Sequence, residues 1–169
     1  MNEQTDILIA ALAEIDRHVA RAGWDQPARL FALVSTEVLI RQEPSLAAHL
    51  TSGSPDSLSS IEQEDFVIGD DVFETLGRMQ WPATVQGCAI VMERTFLGPR
   101  HEADIPSDPA AAEAFVREHP DRQEARVVVG AMREDTVHGL ARLRSHPEEL
   151  LSSDDLVPAL SRALLATLR

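Results

Sequence analysis

The feature that most constrains the fold is a pair of apolar segments near the C-terminus, "EARVVVGAMRE" from residue 124 and "VHGLARLR" from residue 137. Both are rich in β-forming residues, and only a short polar stretch around Asp135 and Thr136 separates them. This arrangement predicts a β-hairpin. Because a hairpin joins its two strands antiparallel, the sequence favours a mostly antiparallel sheet.

Helical and extended segments alternate along the rest of the chain. Apolar residues recur at helical spacing over 5–22, Asp108 precedes a proline as a helix cap does, and Asp154 or Asp155 is predicted to open a final helix. The other predicted elements are strands at 28–34, 61–68 and 86–96 and helices at 70–79 and from 35 or 36 to Pro44.

The fold class that follows is α+β: a mostly antiparallel sheet that includes the C-terminal hairpin, with N-terminal and C-terminal helices and further helices packed on it. We expect a single domain over 1–169, with flexible loops near 51–60 and 97–107.

Composition excludes several function classes. The net charge of −13 makes nucleic acid and anionic membrane surfaces poor partners, and the absence of lysine excludes a Schiff-base or phosphate-loop lysine. The single cysteine, Cys88, lies in the apolar run "GCAIVM", which favours a buried thiol over a nucleophile. With no secretory leader pattern and no long apolar run, we expect a cytoplasmic protein.

The hairpin also carries the first candidate site. Its odd-numbered residues, such as Val127, Val129 and Ala141, form an apolar face that should point into the core. Its even-numbered face is half apolar and contains three arginines, so either a helix covers it while the arginines reach water, or it binds a partner protein or a second copy of the chain. The binding candidates on this face are Arg126, Met132, His138, Leu140, Arg142 and Arg144.

The stretch "EHPDRQEARVVVG", residues 118–130, carries the second candidate. Each polar residue there has a structural explanation at a corner between a helix and a strand, but His119 and Asp121 could also meet as an acid–base pair. The alternative hypothesis is therefore a small-molecule enzyme whose polar site is assembled from distant segments: Asp25, Gln26, Arg94, His119, Asp121 and Arg122.

Local spacing offers no metal or cofactor motif. The six histidines show neither HxxxH nor HxH spacing, and one cysteine cannot build a cysteine site. We therefore expect no metal and no cofactor. Trp24 and Trp81, each followed closely by a proline, are predicted to be structural plugs where a helix meets a strand.

The segments "AGWDQPARLFALV", "WPATVQGCAIVMER" and "HPDRQEARVVVG" resemble the signature segments of a family of small, uncharacterised actinobacterial proteins. The resemblance covers nearly the whole chain and implies a cytoplasmic bacterial protein, but it assigns no activity and no role to any residue. The leading functional hypothesis is a non-enzymatic binding or adaptor domain, acting through a sheet or helix surface. In general character the chain resembles small acidic secretion chaperones, which is an analogy of fold alone.

Overall fold

The computed structural model describes residues 3–45, 58–64, 66, 72–97, 99–154 and 156–169. The helices are α1 (Glu3–Ala20), α2 (Thr36–Gln42), α3 (Val72–Gly77), α4 (Pro109–Glu118) and α5 (Pro158–Thr167), with a 3-10 helix at Pro99–Asp104. The strands are β1 (Arg29–Ser35), β2 (Leu58–Glu62), β3 (Gly87–Phe96), β4 (Gln123–Met132), β5 (Val137–Leu143) and β6 (His146–Ser153).

The strands form one six-stranded sheet in the order β2-β1-β3-β4-β5-β6. Every neighbouring pair is antiparallel, which confirms the predicted α+β class. In the hairpin, Ala131 lies opposite Val137 and Ala125 lies opposite Leu143, so the odd-numbered residues of both strands share one face as predicted. Asp135 turns the chain with a φ of 64°, a left-handed conformation that aspartate tolerates.

Each face of the sheet has its own core. The α1 face carries the even-numbered residues of β4 and β5, and α1 packs on it through Leu8, Leu12 and Ile15. Gly130 lets this helix come close, because a Cβ there would stand only 2.7 Å from a methyl carbon of Leu12. The α5 face carries the odd-numbered residues of β4 and β5, with α5 packed above them through Leu160 and other leucines and contacting α3.

One strand was not predicted at all. The segment "HPEELLSS" forms β6, the edge of the sheet beside β5, with a register shift near Arg142 and Leu143. Pro147 and two glutamates are poor strand formers, and almost the whole strand is exposed on both faces. The alternation of polar and apolar residues that reveals a strand is therefore absent.

Three boundaries also correct the sequence expectations. Helix α5 begins at Pro158 after Val157, so Asp154 does not open it, and Asp155 lies outside the described residues. Strand β2 starts at Leu58, inside the expected loop 51–60, while 51–57 and part of the expected strand at 61–68 lie outside the described residues. The expected loop 97–107 contains the 3-10 helix. No helix in the described ranges has the length and apolar character needed to cross a membrane.

Candidate functional site

The even-numbered hairpin face is covered by α1. Met132 is 6% exposed and Leu140 is 1% exposed, and both belong to the core beneath the helix with Val128. The sequence left two interpretations open, and the structure contains the covering helix. These apolar residues therefore do not form an exposed surface for a partner. Burial of this hydrophobic area stabilises the packing of α1 on the sheet.

The arginines of this face contact α1 and the turn that follows it. Arg142 forms an ion pair of 2.7 Å with Asp16 of α1, whose side chain is only 3% exposed. Arg126 is itself buried, stands over the ring of Trp24 at 4.6 Å and donates a hydrogen bond to the carbonyl oxygen of Gly23. The charge of Asp16 is thus paired with Arg142, whereas buried Arg126 is stabilised by the Trp24 ring and one carbonyl oxygen.

Arg144 completes this cluster at the surface. Its guanidinium lies 5.5 Å from the ring of Trp24 and forms ion pairs of 3.0 Å with both Asp25 and Glu124. The hydrogen bond from Arg144 lowers the pKa of the Asp25 carboxyl. Asp25 has a left-handed φ of 67°, so the cluster fixes the sharp turn that leaves α1.

His138, the remaining candidate on the α1 face, is buried. Its Nε2 lies 2.6 Å from the hydroxyl of Ser152 on β6, and its Nδ1 has no hydrogen-bond partner among the described residues. Burial lowers the pKa of the imidazole, an effect that the charge of Asp154 partly opposes. Burial therefore favours the neutral form of this imidazole.

The six residues of the alternative polar site do not come together. The backbone amides of Asp25 and Gln26 donate to the carboxylate of Glu93 at 2.8 and 2.9 Å, on the α1 face. Arg94 is the next residue of β3 and points to the α5 face, because successive strand residues alternate. The sheet itself thus separates Arg94 from Asp25 and Gln26.

The other three residues form the corner between α4 and β4. His119 caps the end of α4, its Nδ1 accepts a hydrogen bond of 3.0 Å from the Asp121 amide, and Arg122 donates to the His119 carbonyl oxygen. A residue outside the predicted polar site joins them: the Nε2 of His101 lies 3.1 Å from the Asp121 carboxylate. The 3-10 helix brings His101 there, and no local spacing could reveal it.

The α5 face is open at the end formed by β4, β5 and β6. A groove with a volume of about 670 Å³ lies there, beside the start of α5. We call it the α5 groove. The described residues that line it are Phe73, Arg94, Thr95, Ala125, Val127, Ala141, Leu143, Leu151, Leu156, Val157, Pro158 and Ala159.

Exposed apolar side chains stand at the mouth of the α5 groove. Phe73 of α3 is 44% exposed and Leu151 of β6 is 49% exposed, although both are large hydrophobic residues. The positive features of the groove are Arg94, with no hydrogen bond or ion pair to any described residue, and the start of α5, where Val157 provides no side-chain cap. The groove is thus a mostly apolar surface with one arginine and one helix start at its rim.

Cys88 does not contribute a nucleophile to any site. It is fully buried on the α5 face, where its sulfur lies 3.6 Å from the Thr167 hydroxyl. Burial raises the pKa of the thiol to about 11, so the reactive thiolate is scarce at neutral pH. The interpretation as a small buried thiol agrees with this environment.

Comparison with known proteins identifies the family of the chain. No curated protein and no solved structure matches the chain. A family model matches residues 8–169, nearly the full sequence, and the chain therefore belongs to the family described as PPA1309-like proteins.

Proposed function

We propose that the protein is a non-enzymatic binding domain, and that the α5 groove together with the edge strand β6 holds an extended apolar segment of a partner protein. The observation that carries this proposal is the groove itself, with Phe73 and Leu151 exposed at its mouth. Apolar patches of this kind on a folded domain are typical of interaction sites.

The composition of the groove supports binding over catalysis. Among the described lining residues there is no histidine, carboxylate or thiol, and the polar residues are Arg94 and Thr95, of which Arg94 projects from the α5 face of β3. General acid–base or nucleophilic catalysis needs a titratable group within hydrogen-bond reach of the reacting atoms. An arginine can fix the orientation of a bound group, but it remains protonated and does not exchange protons.

The neighbouring strand favours a polypeptide as the occupant. β6 pairs with β5 on one side and is the last strand of the sheet, so its outer edge offers backbone donors and acceptors. Leu151 belongs both to this edge and to the groove, which makes the two surfaces continuous. An added strand can pair with the edge while its side chains enter the groove.

The rim of the groove predicts the charge of that segment. Arg94 has no partner among the described residues, and the positive end of the α5 dipole lies in the same groove, where the N-cap Val157 makes no side-chain hydrogen bond. Both features favour a carboxylate. We therefore expect a segment that places apolar side chains in the groove and an aspartate, a glutamate or a chain terminus near Arg94.

The test is to select short peptides from a random displayed library and to measure their affinities by fluorescence anisotropy. We expect the selected peptides to combine apolar residues with an acidic group. Leu151→Asp should weaken binding about tenfold or more, and Arg94→Gln should weaken it less. Ile61→Asp is the matched control, because Ile61 is 41% exposed on the α5 face of β2, the other edge strand.

Four results would overturn the proposal. One is a failure to select any peptide that binds, and another is an unchanged affinity in the Leu151→Asp variant. The third is binding of decanoate in the groove without binding of peptides, which would make the occupant a small amphiphile. Self-association through β6, seen as a dimer in sedimentation that Leu151→Asp dissociates, would identify a second copy of the chain as the occupant instead.

A further inference from the structure

A second, independent site is formed where α4 ends. We propose that His101, His119 and Asp121 bind a divalent transition-metal ion of the zinc class. One ligand atom from each residue lies within 4.8 Å of the others, so small side-chain movements would bring all three to bonding distance of a single ion. This site is distinct from the α5 groove, so either proposal can fail without the other.

The three residues come from three successive structural units. His101 lies in the 3-10 helix Pro99–Asp104, His119 follows the last turn of α4, and Asp121 lies in the turn before β4. The two imidazole rings are 4.5 Å apart, and the side chain of His101 is only 15% exposed. Phe115 of α4 packs against the ring of His119 at 5.4 Å between ring centroids, so one wall of the site is apolar.

The donor set fits a borderline metal ion. Two imidazoles and one carboxylate are ligands that suit zinc, cobalt or nickel, whereas magnesium and calcium prefer oxygen ligands alone. Three protein ligands leave at least one coordination position for water or another small ligand. The carbonyl end of α4 carries the negative pole of its dipole and the chain has a net charge of −13, and both favour a cation. The Arg122 guanidinium, which donates to the His119 carbonyl oxygen, acts against them.

Binding must replace hydrogen bonds that exist within the cluster. The Nδ1 of His119 accepts from the Asp121 amide, so a neutral ring carries its proton on Nε2. An ion that binds Nδ1 breaks the hydrogen bond from the Asp121 amide. An ion that binds Nε2 must displace the proton from that nitrogen. The ion must also replace the contact between His101 and the Asp121 carboxylate. These exchanges lower the net affinity, and we expect a dissociation constant in the micromolar range rather than that of a closed structural site.

The experiment uses cobalt alone as a spectroscopic probe, followed by competition with zinc alone. We expect one cobalt ion per chain, with visible absorption bands that zinc abolishes. His119→Ala and His101→Ala should each remove the bands, and Asp121→Asn should weaken binding about tenfold or more. His146→Ala is the matched control, because His146 is an exposed histidine on β6 and should leave the titration unchanged.

Metal binding itself is measured, so the test needs no assay of an activity. Circular dichroism of each variant checks that a lost signal is not a lost fold, and the conservative Asp121→Asn variant gives a second reading if an alanine variant unfolds. The proposal is wrong if cobalt does not bind at one equivalent in the micromolar range. It is equally wrong if folded His101→Ala and His119→Ala variants bind as the wild type does, or if His146→Ala weakens binding as much as they do.

Discussion

The two faces of the sheet differ in how completely a helix covers them. On the α1 face a long helix covers the hairpin, and the arginines of this face contact Asp16, Trp24 and Asp25. On the α5 face the shorter helix covers β4 but leaves the ends of β4, β5 and β6 open, with Leu151 and Phe73 exposed. The face whose sequence looks most like an interface is closed, and Leu151 at the mouth of the open face comes from a strand that the sequence did not predict.

The largest expected effect comes from opening the closed face. Leu140→Asp places an unpaired carboxylate under α1, and we expect the free energy of unfolding to fall by about 4 kcal/mol or more. The measurement is urea denaturation followed by circular dichroism. Leu151→Asp is the matched change on the open face and should cost about 0.5 kcal/mol or less. Equal losses in the two variants would mean that the faces are not different.

A smaller loss should follow removal of Trp81, which lies on the α5 side. Its indole donates a hydrogen bond of 3.0 Å to the Thr167 hydroxyl and packs partly against the core. We expect Trp81→Ala to lower the free energy of unfolding by about 3 kcal/mol, the lower end for a large aromatic residue, because the ring is half-buried. The prediction that both tryptophans are structural would fail here if the thermal midpoint of Trp81→Ala equals that of the wild type.

The buried ion pair on the α1 face gives the next effect. Arg142→Ala leaves the Asp16 carboxylate uncompensated, and since Arg142 is partly exposed we expect a loss of about 2–3 kcal/mol. Arg169→Ala, which removes an exposed pair with Asp135, is the control and should cost about 0.5 kcal/mol or less. In an Asp16→Asn background the cost of Arg142→Ala should shrink, and an undiminished cost would argue against coupling.

A pH effect should be smaller still. Burial holds the pKa of His138 below its ordinary value of 6.5, so the unfolded chain binds this proton first. The stabilising contribution is present above about pH 6.5 and is lost as the pH falls through the lowered pKa. We expect His138→Gln to flatten the decline in stability between neutral and mildly acidic pH. A slope identical to that of the wild type would show that other groups cause the decline.

The sequence predicted what depends on local pattern. Antiparallel pairing, the shared face of Val127, Val129 and Ala141, and the cap at Asp108 all follow from short-range spacing, and the structure contains them. The candidate sites depend on contacts between distant residues. That α1 would cover Leu140, or that His101 would approach Asp121, depends on how elements pack rather than on their periodicity. β6 was missed because an exposed edge strand lacks a buried face.

The central claim is that one face is closed and the other open, and thiol accessibility tests it most directly. In a Cys88→Ala background, single cysteines at Leu140→Cys and Leu151→Cys would be reacted with a thiol reagent under native conditions. We predict that the cysteine at 151 reacts at nearly the rate of a free thiol, while the cysteine at 140 reacts only as fast as the protein unfolds. Comparable rates at the two positions, or faster reaction at 140, would contradict the account.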